Sequence, residues 1–158
     1  ALIAMDYLAN NPSHSDTLLL WQPIVSGKTY VTQVYRQRLA AMMERGGVAE
    51  TTTQIREQLA EGGTVEVGGY TLGGELMLAL DELDMATLAA PPAQHIYWLE
   101  HNTEGTDSIS RRSAKALAHL QSLGVTVETR TFAGQPLWQL HERDNCDPLL
   151  EQTRGLAL

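Results

Sequence analysis

The sequence predicts an α/β protein built on a parallel sheet that is interrupted once by a mostly helical excursion. Three observations lead there. Thr17 to Trp21 (TLLLW) is a short, continuous apolar run bounded by turn residues, the pattern of a strand covered on both faces. Gln94 to Glu100 (QHIYWLE), Ser108 to Leu123 and Val125 to Phe132 (VTVETRTF) read as strand, helix and strand with short connections, and such a unit makes its two strands parallel. Between the first strand and this unit, from about Thr29 to Ala90, the apolar period is mainly helical.

Taken in order, Ala1 to Asn10 reads as a helix with no initiator Met, no preceding strand and no capping residue, so an element is expected to be running before the numbering begins. The chain is accordingly expected to be the back part of a longer protein. Asn10-Asn11-Pro12-Ser13 stops this helix. Gln22-Pro23 ends the first strand, because proline lacks the N–H that a central ladder requires. Val31, Val34, Tyr35, Leu39 and Met42 then share one face of an amphipathic helix that stops at Gly46-Gly47. Thr51 and Gln54 match a capping box, opening a helix that runs to Ala60. Thr64 to Val67 alternates at period two into Gly68-Gly69, a small strand or half-hairpin, and Leu76, Leu80 and Leu83 mark a further helix before Pro91-Pro92. In the last third, Ile109, Ala116, Leu117 and Leu120 face inward, His119 lies on the exposed side, and Gly124 caps the helix.

Charge narrows the classes of partner. With 11 Lys and Arg against 19 Asp and Glu, the formal net charge is −8, which opposes attraction to phosphate backbones or anionic lipid. Nucleic acid and membrane surfaces are therefore disfavoured. No apolar run approaches the roughly 20 residues that a membrane helix requires, and Ala1 to Asn10 lacks the basic start of a signal peptide. The one cysteine, Cys146, excludes an internal disulfide framework and fits a reducing compartment, so the expected location is cytoplasmic.

The stretches LLLWQPIVSGKTYVTQVYRQRLAAMM and GQPLWQLHERDNCDPLLEQT resemble the second family of hydrolases associated with the exosortase A system, within the α/β-hydrolase superfamily. The likeness spans nearly the whole chain as a pattern, without a single diagnostic motif. It implies that residues 1–28 and 91–158 are the C-terminal part of an α/β-hydrolase sheet with three core strands, its N-terminal half lying ahead of Ala1. Residues 29–90 would be a helical lid, with substrate expected between it and the carboxyl ends of the strands. The implied role is hydrolysis of an ester, thioester or amide in a bacterial system for exopolysaccharide and PEP-CTERM surface-protein sorting. The superfamily's G-x-S-x-G elbow is absent from these residues, so the resemblance sets the nucleophile upstream of Ala1 and makes this segment alone inactive.

Two carboxylates stand where the superfamily's acid follows its seventh strand. Glu100 ends QHIYWLE and Asp107 opens the next helix; the alternatives are a solvated strand end for Glu100 and a favourable helix-dipole contact for Asp107. The catalytic histidine is expected just beyond the eighth strand, yet Gly134 is followed by Gln135-Pro136, neither of which acts as a general base near neutral pH. His141 is the nearest imidazole, a candidate base or else a partly exposed surface residue. The departure also admits a non-catalytic reading, in which a hydrolase scaffold that has lost its histidine holds an acyl, glycan or protein ligand.

The remaining residues carry less. His95 and His101 share a strand face at a spacing of six, too far apart for one metal, and His14 has no evident partner, so neither a metal site nor a cofactor is expected. Trp21, Trp98 and Trp138 stand at or near strand ends, where they floor a pocket or simply pack the core. Paired glycines at 46–47, 62–63, 68–69 and 73–74 do not form a phosphate cradle and read as lid joints or turns. Separated from a preceding strand, TLLLW is expected to expose an apolar edge through which the chain self-associates.

Overall fold

A computed structural model describes residues 1–158 apart from 12–15, 47–49, 104–107, 135, 138–145 and 157–158. In chain order the elements are α1 (Leu2–Asn10), β1 (Thr17–Trp21), α2 (Gly27–Glu44), α3 (Thr52–Ala60), β2 (Thr64–Val67), β3 (Tyr70–Gly73) and α4 (Gly74–Glu82). A 3-10 turn (Met85–Thr87), β4 (His95–His101), α5 (Arg111–Ser122), β5 (Thr126–Phe132) and α6 (Asp147–Arg154) complete them. They fall into two compact units, Ala1–Val25 with Met85–Leu158, and Ser26–Asp84.

In the first unit, β1, β4 and β5 form one sheet in that order, and both pairings are parallel. The strand–helix–strand reading of the last third and the parallel direction of TLLLW therefore hold. β4 takes the centre: Ile96, Tyr97, Trp98 and Leu99 are all buried, as a strand covered on both faces requires. The expectation of two covered faces for Thr17–Trp21 is corrected. In β1 only Leu20 is buried, while Thr17 and Trp21 are exposed. An apolar run reports a strand's composition but not its lateral place, and among the described residues β1 lies at the edge, paired with β4 alone.

Each face of β4 has its own cover. Tyr97 and Leu99 join Phe132 of β5 and Leu149 of α6 in one cluster, with Leu19, Leu137, Cys146 and Leu156 around it. α6 is held by its carboxyl end, where the Arg130 guanidinium donates to the Gln152 and Gly155 carbonyls at 3.1 and 3.0 Å. A cation there also complements the helix dipole. α5 buries Ala116, Leu117 and Leu120 and packs on β5 and on the 3-10 turn, whose Met85 is fully buried. This helix starts at Arg111 rather than at Ser108, because the Ser110 hydroxyl accepts the Ser113 N–H at 3.1 Å and so caps it. Ile109 consequently precedes the helix. His119 is half-buried instead of exposed, since its Nε2 donates to the Leu88 carbonyl at 2.8 Å.

The second unit, Ser26–Asp84, has a separate core of Val31, Val34, Tyr35, Ile55, Leu59, Val65, Val67 and Met77. Its ends meet: Ser26 and Asp84 form an antiparallel bridge, and the Gly27 N–H donates to the Leu83 carbonyl at 2.8 Å. The capping box forms as the sequence implies, with Thr51 Oγ1 accepting the Gln54 N–H at 3.2 Å and Gln54 Oε1 accepting the Thr51 N–H at 2.8 Å. β2 and β3 pair antiparallel from Thr64↔Gly73 to Val67↔Tyr70. Gly68 and Gly69 supply the turn with φ of 57° and 84°, a left-handed pair that suits a two-residue hairpin. In α4 the inward residue is Met77, whereas Leu76 is 49% exposed. The helix that the leucine spacing marks is present, and Leu80 packs against the core from a half-buried position.

Tyr35 is fully buried in this core, its hydroxyl without a hydrogen-bond partner among the described residues. The Arg56 guanidinium lies 5.3 Å from its ring centroid and makes a two-pronged pair with Asp81 at 2.8 and 2.9 Å. Burial pushes the Tyr35 hydroxyl above the ordinary tyrosine value of 10.0; Arg56 opposes this shift and Asp81 adds to it. The unfolded chain ionises at that ordinary value while the folded chain stays protonated to higher pH. Stability that is complete below pH 10 is therefore lost as pH climbs towards the folded value. Tyr35→Phe should flatten that alkaline loss and add up to about 1 kcal/mol at neutral pH by removing an unsatisfied buried hydroxyl. Urea unfolding at neutral and alkaline pH checks both effects.

Candidate functional site

In open α/β sheets, ligands bind outside the carboxyl ends of parallel strands. At that edge of the first unit stand Trp21 and Gln22 after β1, Glu100, His101 and Asn102 at the end of β4, and Phe132 to Gly134 after β5. Local chemistry ties the three strand ends together. The Gln22 N–H continues the ladder to the Leu99 carbonyl at 2.7 Å, and the Asn102 N–H reaches the Phe132 carbonyl at 2.9 Å. The Asn102 amide donates to the Ser108 carbonyl at 2.9 Å and to its hydroxyl at 3.1 Å.

Gln22 is the strained member of this edge. Its φ of 42° lies in the left-handed region, the one such value among the described non-glycine residues. Backbone of this kind costs of order 1–3 kcal/mol and persists where surrounding contacts hold it. Here the contact is across the chain: Gln22 Oε1 accepts the Leu137 N–H at 2.8 Å. At the end of β4, His101 Nε2 lies 2.6 Å from the Gly134 carbonyl. The His101 ring also stands edge-on to Phe132, with centroids 5.5 Å apart.

Glu100 lies at the carboxyl end of the central strand, half-buried, on the face opposite His101. Both of its oxygens are engaged. Oε2 accepts the Trp98 indole N–H at 3.1 Å, and Oε1 accepts the Ser110 N–H at 2.9 Å. The carboxylate thereby fixes the residue that caps α5 and satisfies a buried indole, which is structural work done at a place suited to chemistry. His141, Asp107, Gln135, Trp138 and His14 lie outside the described residues. Trp98 is fully buried and belongs to the core, while Trp21 is 37% exposed at the sheet edge.

The structure does not bring the two histidines of β4 together. His95 opens the strand at its amino end, its ring 4.4 Å from Tyr97 and its buried Nε2 without a partner among the described residues. Among the described residues, no group of three or more His, Cys, Asp or Glu is placed to hold a metal ion. Nor is any described helix long and apolar enough to cross a membrane. Gln22 and the role of His101 escape sequence reasoning. No residue pattern announces a left-handed glutamine, and His101 becomes notable only once Gly134, 33 positions later, is seen against it.

Compared with protein-family models, with curated proteins and with solved structures, the chain finds no match in any of the three.

Proposed function

We propose that the chain is the C-terminal part of an α/β-hydrolase that cleaves an ester, thioester or amide, of the kind that accompanies exosortase A and exopolysaccharide systems. The observation that carries this reading is the sheet itself: β1, β4 and β5 run parallel in that order, with a separate compact unit inserted between β1 and β4. The resemblance of the sequence supplies the rest. In that superfamily the substrate meets the carboxyl edge of the strands, here Gln22, Glu100, His101 and Gly134, and Ser26–Asp84 takes the part of a lid. The nucleophile lies ahead of Ala1, since these residues contain no G-x-S-x-G elbow.

A second reading, a hydrolase-like scaffold that binds without catalysis, is favoured by Glu100. Its carboxylate is already committed to Trp98 and Ser110 rather than to an imidazole. A fluorophosphonate probe on the full-length protein separates the two, because labelling requires an activated nucleophile and ligand binding does not. The hydrolase reading expects one labelled serine, mapped by peptide mass to a position before Ala1. An unlabelled folded protein, or a label within residues 1–158, overturns it.

A further inference from the structure

We infer that His101 is the proton acceptor of the sheet's carboxyl edge, its ring oriented by the Gly134 carbonyl so that Nδ1 presents a lone pair. The orientation follows from what a carbonyl can do. The Gly134 oxygen only accepts, so the 2.6 Å contact requires a proton on Nε2, and the neutral ring then has its basic nitrogen at Nδ1. An imidazole that donates one N–H to a fixed oxygen and leaves the other nitrogen free is the arrangement used by general bases and by metal ligands, whose tautomer is set from behind. Its place at the carboxyl end of a parallel strand favours the first of these uses.

Three features tie this ring to the edge rather than to the core. His101 is the last residue of the central parallel strand and is half-exposed, where ligands approach such sheets. The carbonyl that orients it, that of Gly134, stands two residues beyond β5 at the same edge, where Gln22 Oε1 accepts the Leu137 N–H. Glu100, the carboxylate beside it in sequence, points to the other face and is occupied, leaving the Gly134 carbonyl in the orienting role that a triad gives to an acid.

The inference rests on the hydrolase reading for its reaction. Nδ1 takes the proton of the nucleophilic hydroxyl as that oxygen bonds to the acyl carbon. The imidazolium returns the proton to the leaving oxygen, nitrogen or sulfur as its bond to that carbon breaks. Water then repeats the exchange at the acyl-enzyme, its proton passing through Nδ1 to the released hydroxyl.

The test uses the full-length protein with two substitutions that divide the ring's two functions. In His101→Gln the side-chain amide takes the place of Nε2–H and keeps a donor for Gly134, but offers no base. In His101→Asn the amide sits nearer the position of Nδ1 and the bond to Gly134 is lost. A proton acceptor predicts fluorophosphonate labelling at least about 100-fold slower in both, with the melting temperature of His101→Gln unchanged. Wild-type labelling in His101→Gln with loss only in His101→Asn overturns the inference, because the ring would then be a brace for Gly134. If the wild-type protein does not label, the hydrolase reading fails by itself, and the ring nitrogens of the same protein decide the remainder by long-range proton–nitrogen NMR. A protonated Nε2 with a pyridine-type Nδ1 supports the assignment; a protonated Nδ1 overturns it.

Discussion

Trp98→Ala should remove about 4 kcal/mol from the sheet-bearing unit, a large part of the roughly 5–15 kcal/mol that stabilises a typical domain. The indole is fully buried at the centre of β4, opposite Leu20 on one side and Thr129 on the other. Truncation leaves a cavity on the face of the sheet that the indole covers, and the backbone beneath cannot rise to fill it, since β4 is hydrogen-bonded to a strand on each side. It also deprives Glu100 Oε2 of its donor. That carboxylate caps the start of α5 through Ser110, so the loss spreads from the sheet to the helix. Trp98→Phe should cost less, about 1–3 kcal/mol, by refilling most of the volume without restoring the N–H. Denaturant unfolding followed by circular dichroism orders the two variants; equal stability for Trp98→Ala and wild type contradicts the placement of β4 at the core.

Gly27→Ala should damage the Ser26–Asp84 unit as severely, through too much volume instead of too little. Gly27 opens α2 and is buried against the last turn of α4, where a Cβ would run into the Leu80 carbonyl and crowd that of Leu83. The obstacle is backbone, so no side-chain rotation relieves it. α2 and α4 must separate, or the Gly27 N–H must release the Leu83 carbonyl, which it now holds at 2.8 Å. Overpacking of this kind commonly costs about 1–3 kcal/mol, and a clash with fixed carbonyls belongs at the upper end. The same contact sits beside the Ser26–Asp84 bridge that closes the unit's two ends, so amide exchange should rise across α2 and α4 together. Exchange confined to residues 26–28 would show that the close approach is not what joins these helices.

The candidate site was legible only in part. Glu100 was visible because a carboxylate at the end of an apolar run is conspicuous, and it does stand at the carboxyl end of the central strand. What occupies it is not visible there, since Ser110 reaches it from ten positions on and Trp98 from two residues back along the same face. In the sequence His101 raises only the question of a metal, because two histidines six apart invite it. Its actual partner is a backbone carbonyl, a group that every residue carries and that therefore leaves no trace in composition. Gln22 reads as a strand terminus before proline, and neither its left-handed φ nor its bond to Leu137, 115 positions on, leaves a mark in the local sequence.

By itself, the sequence determined the kinds of elements and most of their ends, because these depend on neighbours within a few positions. The capping box at Thr51–Gln54, the helix face of Ala116, Leu117 and Leu120, and the parallel strands on either side of α5 are all of this local sort. Only the tertiary structure decided which strand is central, which face of α4 turns inward, and which carbonyl orients His101. Those outcomes depend on contacts between residues tens of positions apart, where hydrogen bonding and packing select among arrangements that local patterning leaves equal in energy.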